Sequence, residues 1–120
     1  MQVKVAVGSS DGYTVDEHFG RCSRFLIYEI SDAGEYAFIE SRVVVPDRTQ
    51  EGHEPNRLRT MAEELSDCGC VLAAQIGRGA IGALSQFGVT ALAVEAPIDK
   101  ALNRLTRFLQ SNRGSILARE

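Results

Sequence analysis

The chain has 120 residues, of which 44% are hydrophobic and 24% are charged, and its formal net charge at pH 7 is −3. This length is enough for one domain with its own hydrophobic core, and the composition is that of an ordinary globular protein. The negative charge disfavours a nucleic-acid-binding function, because contacts to phosphates need a basic surface.

Three features of the sequence indicate a cytoplasmic protein. No stretch approaches the roughly 18 consecutive apolar residues of a membrane span. The chain passes from Met1 directly into a strand-like segment, without the charged and then apolar region of a secretion signal. The three cysteines are an odd number, which disfavours a disulfide framework and favours a reducing compartment. We therefore expect neither a membrane partner nor export.

The first half of the chain predicts three strands. Residues 3–7 form a buried strand, and residues 25–30 and 36–45 form an antiparallel pair joined by a short polar connection. Residues 46–53 fit neither the helical nor the strand period and predict a loop, on which His53 lies.

The second half alternates helices and strands. A helix follows Pro55, residues 70–76 form a buried strand, residues 79–86 form a short helix closed by Gly88, and residues 90–94 form a strand of parallel character. A last amphipathic helix follows Pro97. The apolar stripes of the first and last helices are Leu58, Met61, Ala62 and Leu65, and Ile98, Ala101, Leu102, Leu105 and Leu109.

The resulting order, β-β-β-α-β-α-β-α, predicts an α/β fold. Three strands in a meander followed by helix-strand alternation favour a mixed five-stranded sheet with helices on its faces. No repeat or linker divides the chain, so we expect residues 1–120 to form a single domain, with residues 112–120 as a flexible tail.

The loop between the first two strands, residues 8–22, carries the densest functional chemistry. His18 and Cys22 lie four residues apart, and Arg21 and Arg24 flank the cysteine. Imidazole and thiolate suit iron and iron–sulfur species, and the two arginines would offset the charge of an anionic, metal-containing ligand. The alternative is that His18 only stabilises a turn and Cys22 is a small buried apolar group.

A second candidate is the segment from Gly77 to Gly82, which has the spacing G-x-G-x-x-G between a strand and a helix. A dinucleotide site is disfavoured, because no third parallel strand completes a mononucleotide-binding half and Glu95 follows Gly82 too closely. Gly77 and Gly79 allow a tight turn, and the amides that open the helix could still bind an anion.

The sequence gives less support for a second metal site, a nuclease site or a nucleophilic active site. Cys68 and Cys70 supply only two soft ligands, and a nuclease would need several converging carboxylates. No nucleophile has a base and an orienting group, since Cys22 has only His18 as a possible base. These observations favour a protein without catalytic activity.

The sequence resembles the dinitrogenase iron-molybdenum cofactor biosynthesis family, the NifX-like and NafY-like group. The matching stretches are residues 5–12, 16–22, 25–29, 70–73, 76–80, 84 and 87–89, in the order and spacing of the family. The resemblance implies a ribonuclease H-like topology and the binding of the iron-molybdenum cofactor, or its iron-sulfur precursor, during nitrogenase assembly. It also implies that His18 is the ligand and that nitrogenase assembly proteins are the partners.

The sequence thus favours a carrier or chaperone of a metal cluster. Its predicted ligands are His18 and Cys22, with Arg21, Arg24, Gly77 and Gly79 completing the binding site. If the strands at residues 3–7 and 70–76 are parallel neighbours, the segments that follow them emerge at one edge of the sheet, so we expect the loop at residues 8–22 and the turn at Gly77 and Gly79 to form one pocket. Two other functions stay open: a small nucleotide- or anion-binding module that uses the turn at residues 77–82, and a regulatory interaction domain with no cofactor.

Overall fold

The structure, a computed structural model, describes residues 2–44 and 54–111, and it describes the side chains of all of these except residues 54–56 and 111. The strands are β1 (Val3–Gly8), β2 (Thr14–Val15), β3 (Arg24–Ile30), β4 (Tyr36–Val43), β5 (Cys70–Ala73), β6 (Thr90–Ala93) and β7 (Ala96–Pro97). The helices are α1 (Glu54–Glu64), α2 (Arg78–Gln86) and α3 (Ile98–Ser111), and a 3₁₀ turn spans Phe19–Arg21. The predicted loop at residues 46–53, with His53, and the predicted tail at 112–120 lie outside the described residues.

Five strands form one mixed sheet in the order β4-β3-β1-β5-β6. β3 is antiparallel to both β1 and β4, whereas β5 is parallel to β1 and β6 is parallel to β5. This arrangement confirms the α/β fold, the mixed five-stranded sheet and the ribonuclease H-like topology. Three antiparallel strands are followed by two parallel strands, each reached through a helix.

Apolar side chains alternate along the central strands because successive residues point to opposite faces of the sheet. In β1, Val5 and Val7 pack on the face covered by α3, whereas Ala6 packs on the face covered by α1 and α2. Met61 of α1 and Leu65, the residue after its end, are fully buried. Each such side chain stabilises the fold by roughly 2 to 3 kcal/mol relative to an exposed one.

Two details differ from the sequence prediction. β2 and β7 form a separate two-stranded sheet, in which Thr14 pairs with Pro97 and Val15 with Ala96. Strands of two residues are too short to show a period, so the pattern gave no sign of them. The predicted strand at residues 70–76 ends early, at Ala73, because the chain beyond it turns to meet the loop that carries His18.

The three helices contain 11, 9 and 14 residues. None of them, in the part of the chain that the structure describes, is long and apolar enough to cross a bilayer.

Candidate functional site

The first part of the loop after β1 is held by its own carboxylates. Asp11 Oδ1 accepts hydrogen bonds from the amides of Tyr13 at 2.8 Å and Thr14 at 2.9 Å. These backbone bonds lower the pKa of Asp11. Asp16 accepts hydrogen bonds from the amide and the hydroxyl of Ser10, at 2.9 and 2.6 Å. Both carboxylates therefore shape the loop.

The second part of the loop is joined to the end of β5. The amide of Ala74 donates to the carbonyl of Glu17 at 2.9 Å, and the amide of Phe19 donates to the carbonyl of Gln75 at 2.8 Å. His18 and Gln75 thereby form an isolated parallel bridge. The backbone on either side of His18 is thus fixed to the sheet, while the His18 side chain is exposed.

His18 opens a tight turn that ends at Cys22. The amide of Arg21 donates to the carbonyl of His18 at 2.9 Å, and the amide of Cys22 donates to the carbonyl of Phe19 at 3.1 Å. Phe19 is fully buried. A Cβ atom built on Gly20 would lie 3.8 Å from His18 Nδ1, so the imidazole lies beside the backbone of Gly20. The turn presents one imidazole at the surface, next to an exposed Arg21.

Cys22 points the other way, into the core beneath α1 and α2. Its Sγ donates to the carbonyl of Arg24 at 3.0 Å, and a Cβ atom on Gly8 would lie 3.5 Å from it. Burial raises the pKa of the Cys22 thiol to about 12. The ligand role of Cys22 stays a prediction, and its burial counts against it, because the thiolate needed for coordination is disfavoured there.

The turn before α2 lies at the same end of the sheet as His18. β1 and β5 are parallel neighbours, so the segments that follow them emerge on one edge, and the bridge between His18 and Gln75 joins those segments directly. Gly77 is the residue before the first turn of α2, and apart from its chain neighbours no atom of the described residues lies within 4 Å of a Cβ built on it. That the loop and this turn form one binding pocket stays a prediction.

Gly79 has a structural role as well. A Cβ atom at this position would lie 3.2 Å from Leu58 Cδ1, so the missing side chain lets α1 and α2 pack closely. Of the two glycines predicted as binding residues, Gly77 thus faces open space and Gly79 faces α1.

One residue of the site was missed by sequence reasoning. The guanidinium of Arg57, on α1, donates to the carbonyl of Gly20 from Nε at 3.1 Å and from Nη2 at 2.9 Å. It therefore reaches the turn that carries His18 from a position 37 residues away. The only sequence signal was an arginine next to Leu58, the first apolar residue of the helical stripe, and that pattern is common in amphipathic helices.

The remaining cysteines do not form a second site. Cys68 belongs to the core under α1 and α2, and Cys70 to the core under α3, so the two side chains lie on opposite faces. Burial raises the pKa of Cys68 to about 12 and that of Cys70 to about 11. Among the described residues, no three His, Cys, Asp or Glu side chains are grouped so that they could hold a metal ion.

A cleft of about 350 Å³ opens elsewhere, at the start of α3, and none of the predicted binding residues lines it. Its walls are formed by Gly12, Tyr13, Tyr28, Tyr36, Pro97, Ile98 and Asp99.

The fold and the loop define a small α/β domain with a histidine displayed where two parallel strands end, and solved structures share this fold. The crystal structure of PH0822 superposes with a TM-score of 0.66 at 23% identity, covering 86% of this chain and 89% of that one. A protein of Methanocaldococcus jannaschii, mj0327, has a TM-score of 0.58 at 16% identity, covering 89% and 90% of the two chains.

The family model described as dinitrogenase iron-molybdenum cofactor matches residues 1–107, and the chain belongs to this family. Protein NifX of Klebsiella pneumoniae is 33% identical over 90% of this chain, and Protein NifY of Azotobacter vinelandii is 34% identical over 89% of it. The FeMo cofactor biosynthesis protein NifB of Frankia alni is 33% identical over 92% of this chain. The aligned region amounts to 65% of NifX, 43% of NifY and 22% of NifB, so the chain corresponds to one part of each relative.

Proposed function

We propose that the protein binds and carries the iron-molybdenum cofactor, or its iron-sulfur precursor, as cargo during nitrogenase cofactor assembly, without catalysing a reaction. Its partners would be cytoplasmic nitrogenase assembly proteins that deliver or accept the cluster, and residues 1–120 would act as one domain. Membership of the dinitrogenase iron-molybdenum cofactor family and the similarity to the FeMo cofactor biosynthesis protein NifB support this proposal.

The observation that carries the proposal is the exposed imidazole of His18 on a backbone that is fixed on both sides. The carbonyl of Glu17, before His18, accepts from the amide of Ala74, and the amide of Phe19, after it, donates to the carbonyl of Gln75. An imidazole is a suitable ligand for iron, and a fixed ligand loses little conformational entropy on binding. A single protein ligand suits a cluster whose other metal ligands belong to the cluster itself. Because only one bond to the protein must break, a carrier can release such a cluster.

Two exposed arginines close to His18 in the chain supply cations for an anionic cargo. Arg21 and Arg24 are exposed near the end of β1, where β3 begins, and each supplies a cation. The first amides of α2, next to the open space at Gly77, add partial positive charge. We propose that these groups hold the acidic edge of the cluster while His18 binds metal.

The test is an anaerobic titration with iron-molybdenum cofactor extracted from dinitrogenase. Binding is measured as iron and molybdenum that co-elute with protein in gel filtration, and as visible absorption. His18→Ala should weaken binding by roughly tenfold or more, which corresponds to loss of a single good ligand. Gln75→Ala is the matched control, because it shortens an exposed neighbouring side chain and leaves the backbone bridge in place.

Both variants should unfold within about 0.5 kcal/mol of the wild type, since both side chains are exposed. Equal affinity of the wild type and His18→Ala would overturn the assignment of His18. If the wild type, His18→Ala and Gln75→Ala all fail to bind the extracted cofactor, the carrier function itself is overturned.

The open space at Gly77 favours one alternative, a module that binds a nucleotide or another anion at the start of α2. Titration with ATP, and separately with inorganic phosphate, tests it. Saturable binding that His18→Ala leaves unchanged would support the alternative over cluster carriage. A regulatory domain without cofactor would bind none of these probes.

A further inference from the structure

We propose that Arg57 is a positioning residue that holds the turn from His18 to Cys22 in the conformation that presents the His18 imidazole. The effect on cluster binding depends on the proposed function. The effect on the turn does not depend on it and is measurable without a cluster.

The contact itself is specific. Two nitrogens of one guanidinium, Nε and Nη2, donate to the carbonyl oxygen of Gly20 at 3.1 and 2.9 Å. The Arg57 side chain is half-buried, and hydrogen bonds from a charged donor are stronger than neutral ones, the more so where water is partly excluded. A lysine at this position could reach the same oxygen with only one point-like donor group.

The turn needs such support. It contains a single 3₁₀ segment of three residues, and 3₁₀ hydrogen bonds have poorer geometry than those of an α-helix. Its middle residue, Gly20, has the largest backbone freedom of any residue type. Because the imidazole of His18 lies beside Gly20, a rotation of the Gly20 peptide would change the surface against which the imidazole rests.

Arg57 acts from a rigid support. Further along α1, Met61 is fully buried in the core, as is Leu65 just after the end of the helix, and this burial fixes the position of the helix. The neighbouring Leu58 packs against Gly79 of α2. The first turns of α1 therefore contact both halves of the candidate site: Arg57 bonds to the His18 turn, and Leu58 lies against Gly79 in the first turn of α2.

The first measurement is amide hydrogen exchange in the cluster-free protein. The reporters are the amides of Arg21 and Cys22, which donate the two internal hydrogen bonds of the turn. Arg57→Ala should speed their exchange by roughly tenfold, the effect of losing a charge-assisted bond, and Arg57→Lys should give an intermediate increase.

Arg59→Ala is the matched control. It removes the same charge from the same helix, but the Arg59 guanidinium lies 5.7 Å from the ring centroid of Phe87 and not against the turn. The Arg21 and Cys22 amides should exchange in this variant as in the wild type. Equal exchange of these amides in Arg57→Ala and Arg59→Ala would overturn the positioning role.

The second measurement is binding of extracted iron-molybdenum cofactor to the same variants. Arg57→Ala should bind several-fold more weakly than Arg59→Ala, and Arg57→Lys should recover part of the loss. If exchange changes as expected but no variant or wild-type protein binds the cofactor, the positioning role stands and the carrier function fails. If Arg57→Ala weakens binding while exchange is unchanged, Arg57 contributes only its charge, and the positioning role is overturned.

Discussion

His18 and Gln75 are partners in a parallel β-bridge, and the amide of Phe19 donates to the carbonyl of Gln75 at 2.8 Å. The loop that follows β1 therefore continues the sheet beyond the end of β5. The histidine of the candidate site is not on a free loop. Its backbone is held by the segment that follows β5 and leads to the other half of the site, so the geometry of the site depends on both segments together.

The two glycines of the α2 turn provide a discriminating pair of substitutions. Gly77→Ala adds a methyl group to open space, and Gly79→Ala adds one at 3.2 Å from Leu58 Cδ1. For Gly79→Ala, the higher helix propensity of alanine adds about 1 kcal/mol to the free energy of unfolding and offsets this crowding. Gly77→Ala should lower the free energy of unfolding by less than about 1 kcal/mol, because alanine is less favourable than glycine at the N-cap position of a helix.

We expect only Gly77→Ala to weaken binding of extracted cofactor, because only there does the methyl group stand where a ligand would approach the amides. Urea unfolding and cofactor titration of both variants provide the measurement. Equal binding by the two variants would remove Gly77 from the site.

The three thiols should be unreactive in the folded protein. Burial raises the pKa of Cys22 and Cys68 to about 12 and that of Cys70 to about 11, so almost no thiolate is present at pH 8. Alkylation by iodoacetamide should be at least roughly a hundredfold slower in buffer than in urea, and it should accelerate as the pH rises toward 11. Peptide mapping identifies the labelled residue. Rapid labelling of Cys22 alone would show that the turn opens, and would restore Cys22 as a candidate ligand.

Arg21 and Arg24 should act through charge. Replacing both with glutamine should weaken cofactor binding more at low ionic strength than at high ionic strength, because exposed charges are screened over about 10 Å at 0.1 M salt. Titrations at two or three salt concentrations provide the comparison. Arg104→Gln combined with Arg107→Gln is a control with the same change in net charge on α3. A loss that does not vary with salt would instead indicate a direct, bidentate contact with the ligand.

Asp67 should make stability depend on pH. Its carboxylate accepts hydrogen bonds from Arg42 at 2.7 and 3.1 Å and from Lys4 at 3.4 Å, and the Arg42 bonds lower its pKa to about 2. Because the pKa of Asp67 is lower in the folded state than in the unfolded state, ionised Asp67 contributes to the free energy of unfolding. This contribution is complete above about pH 4 and is lost as the pH falls through about 2. The side chain is 44% exposed, so solvent screening reduces the contribution to about 1 kcal/mol.

The test compares urea unfolding of the wild type, Asp67→Asn and the exposed control Glu63→Gln between pH 7 and pH 2.5. Asp67→Asn should have a lower free energy of unfolding than the wild type at pH 7, and this difference should shrink as the pH falls. The free energy of unfolding of Glu63→Gln should stay close to that of the wild type. A deficit that is constant with pH would mean that Asp67 stabilises the fold without its charge.

The sequence by itself determined which segments form the sheet and which helical faces are buried. The apolar run at residues 3–7 and the helical spacing of Met61 and Leu65 predict burial, because each pattern is local to one element. The same reasoning placed His18 and the turn at Gly77 at one end of the sheet, because parallel neighbouring strands must release their chains on the same edge.

Only the tertiary structure decided which atoms complete the site. No periodic pattern in the sequence indicates three features: the inward direction of Cys22, the pairing of β2 with β7, and the bond from Arg57 to the carbonyl of Gly20. The Cys22 thiol bonds to the nearby carbonyl of Arg24, whereas the Arg57 bonds and the β2–β7 pairing join segments far apart in the chain. A local pattern shows that a side chain is buried or exposed, but the partner of a hydrogen-bonding group is set by how the elements pack in three dimensions.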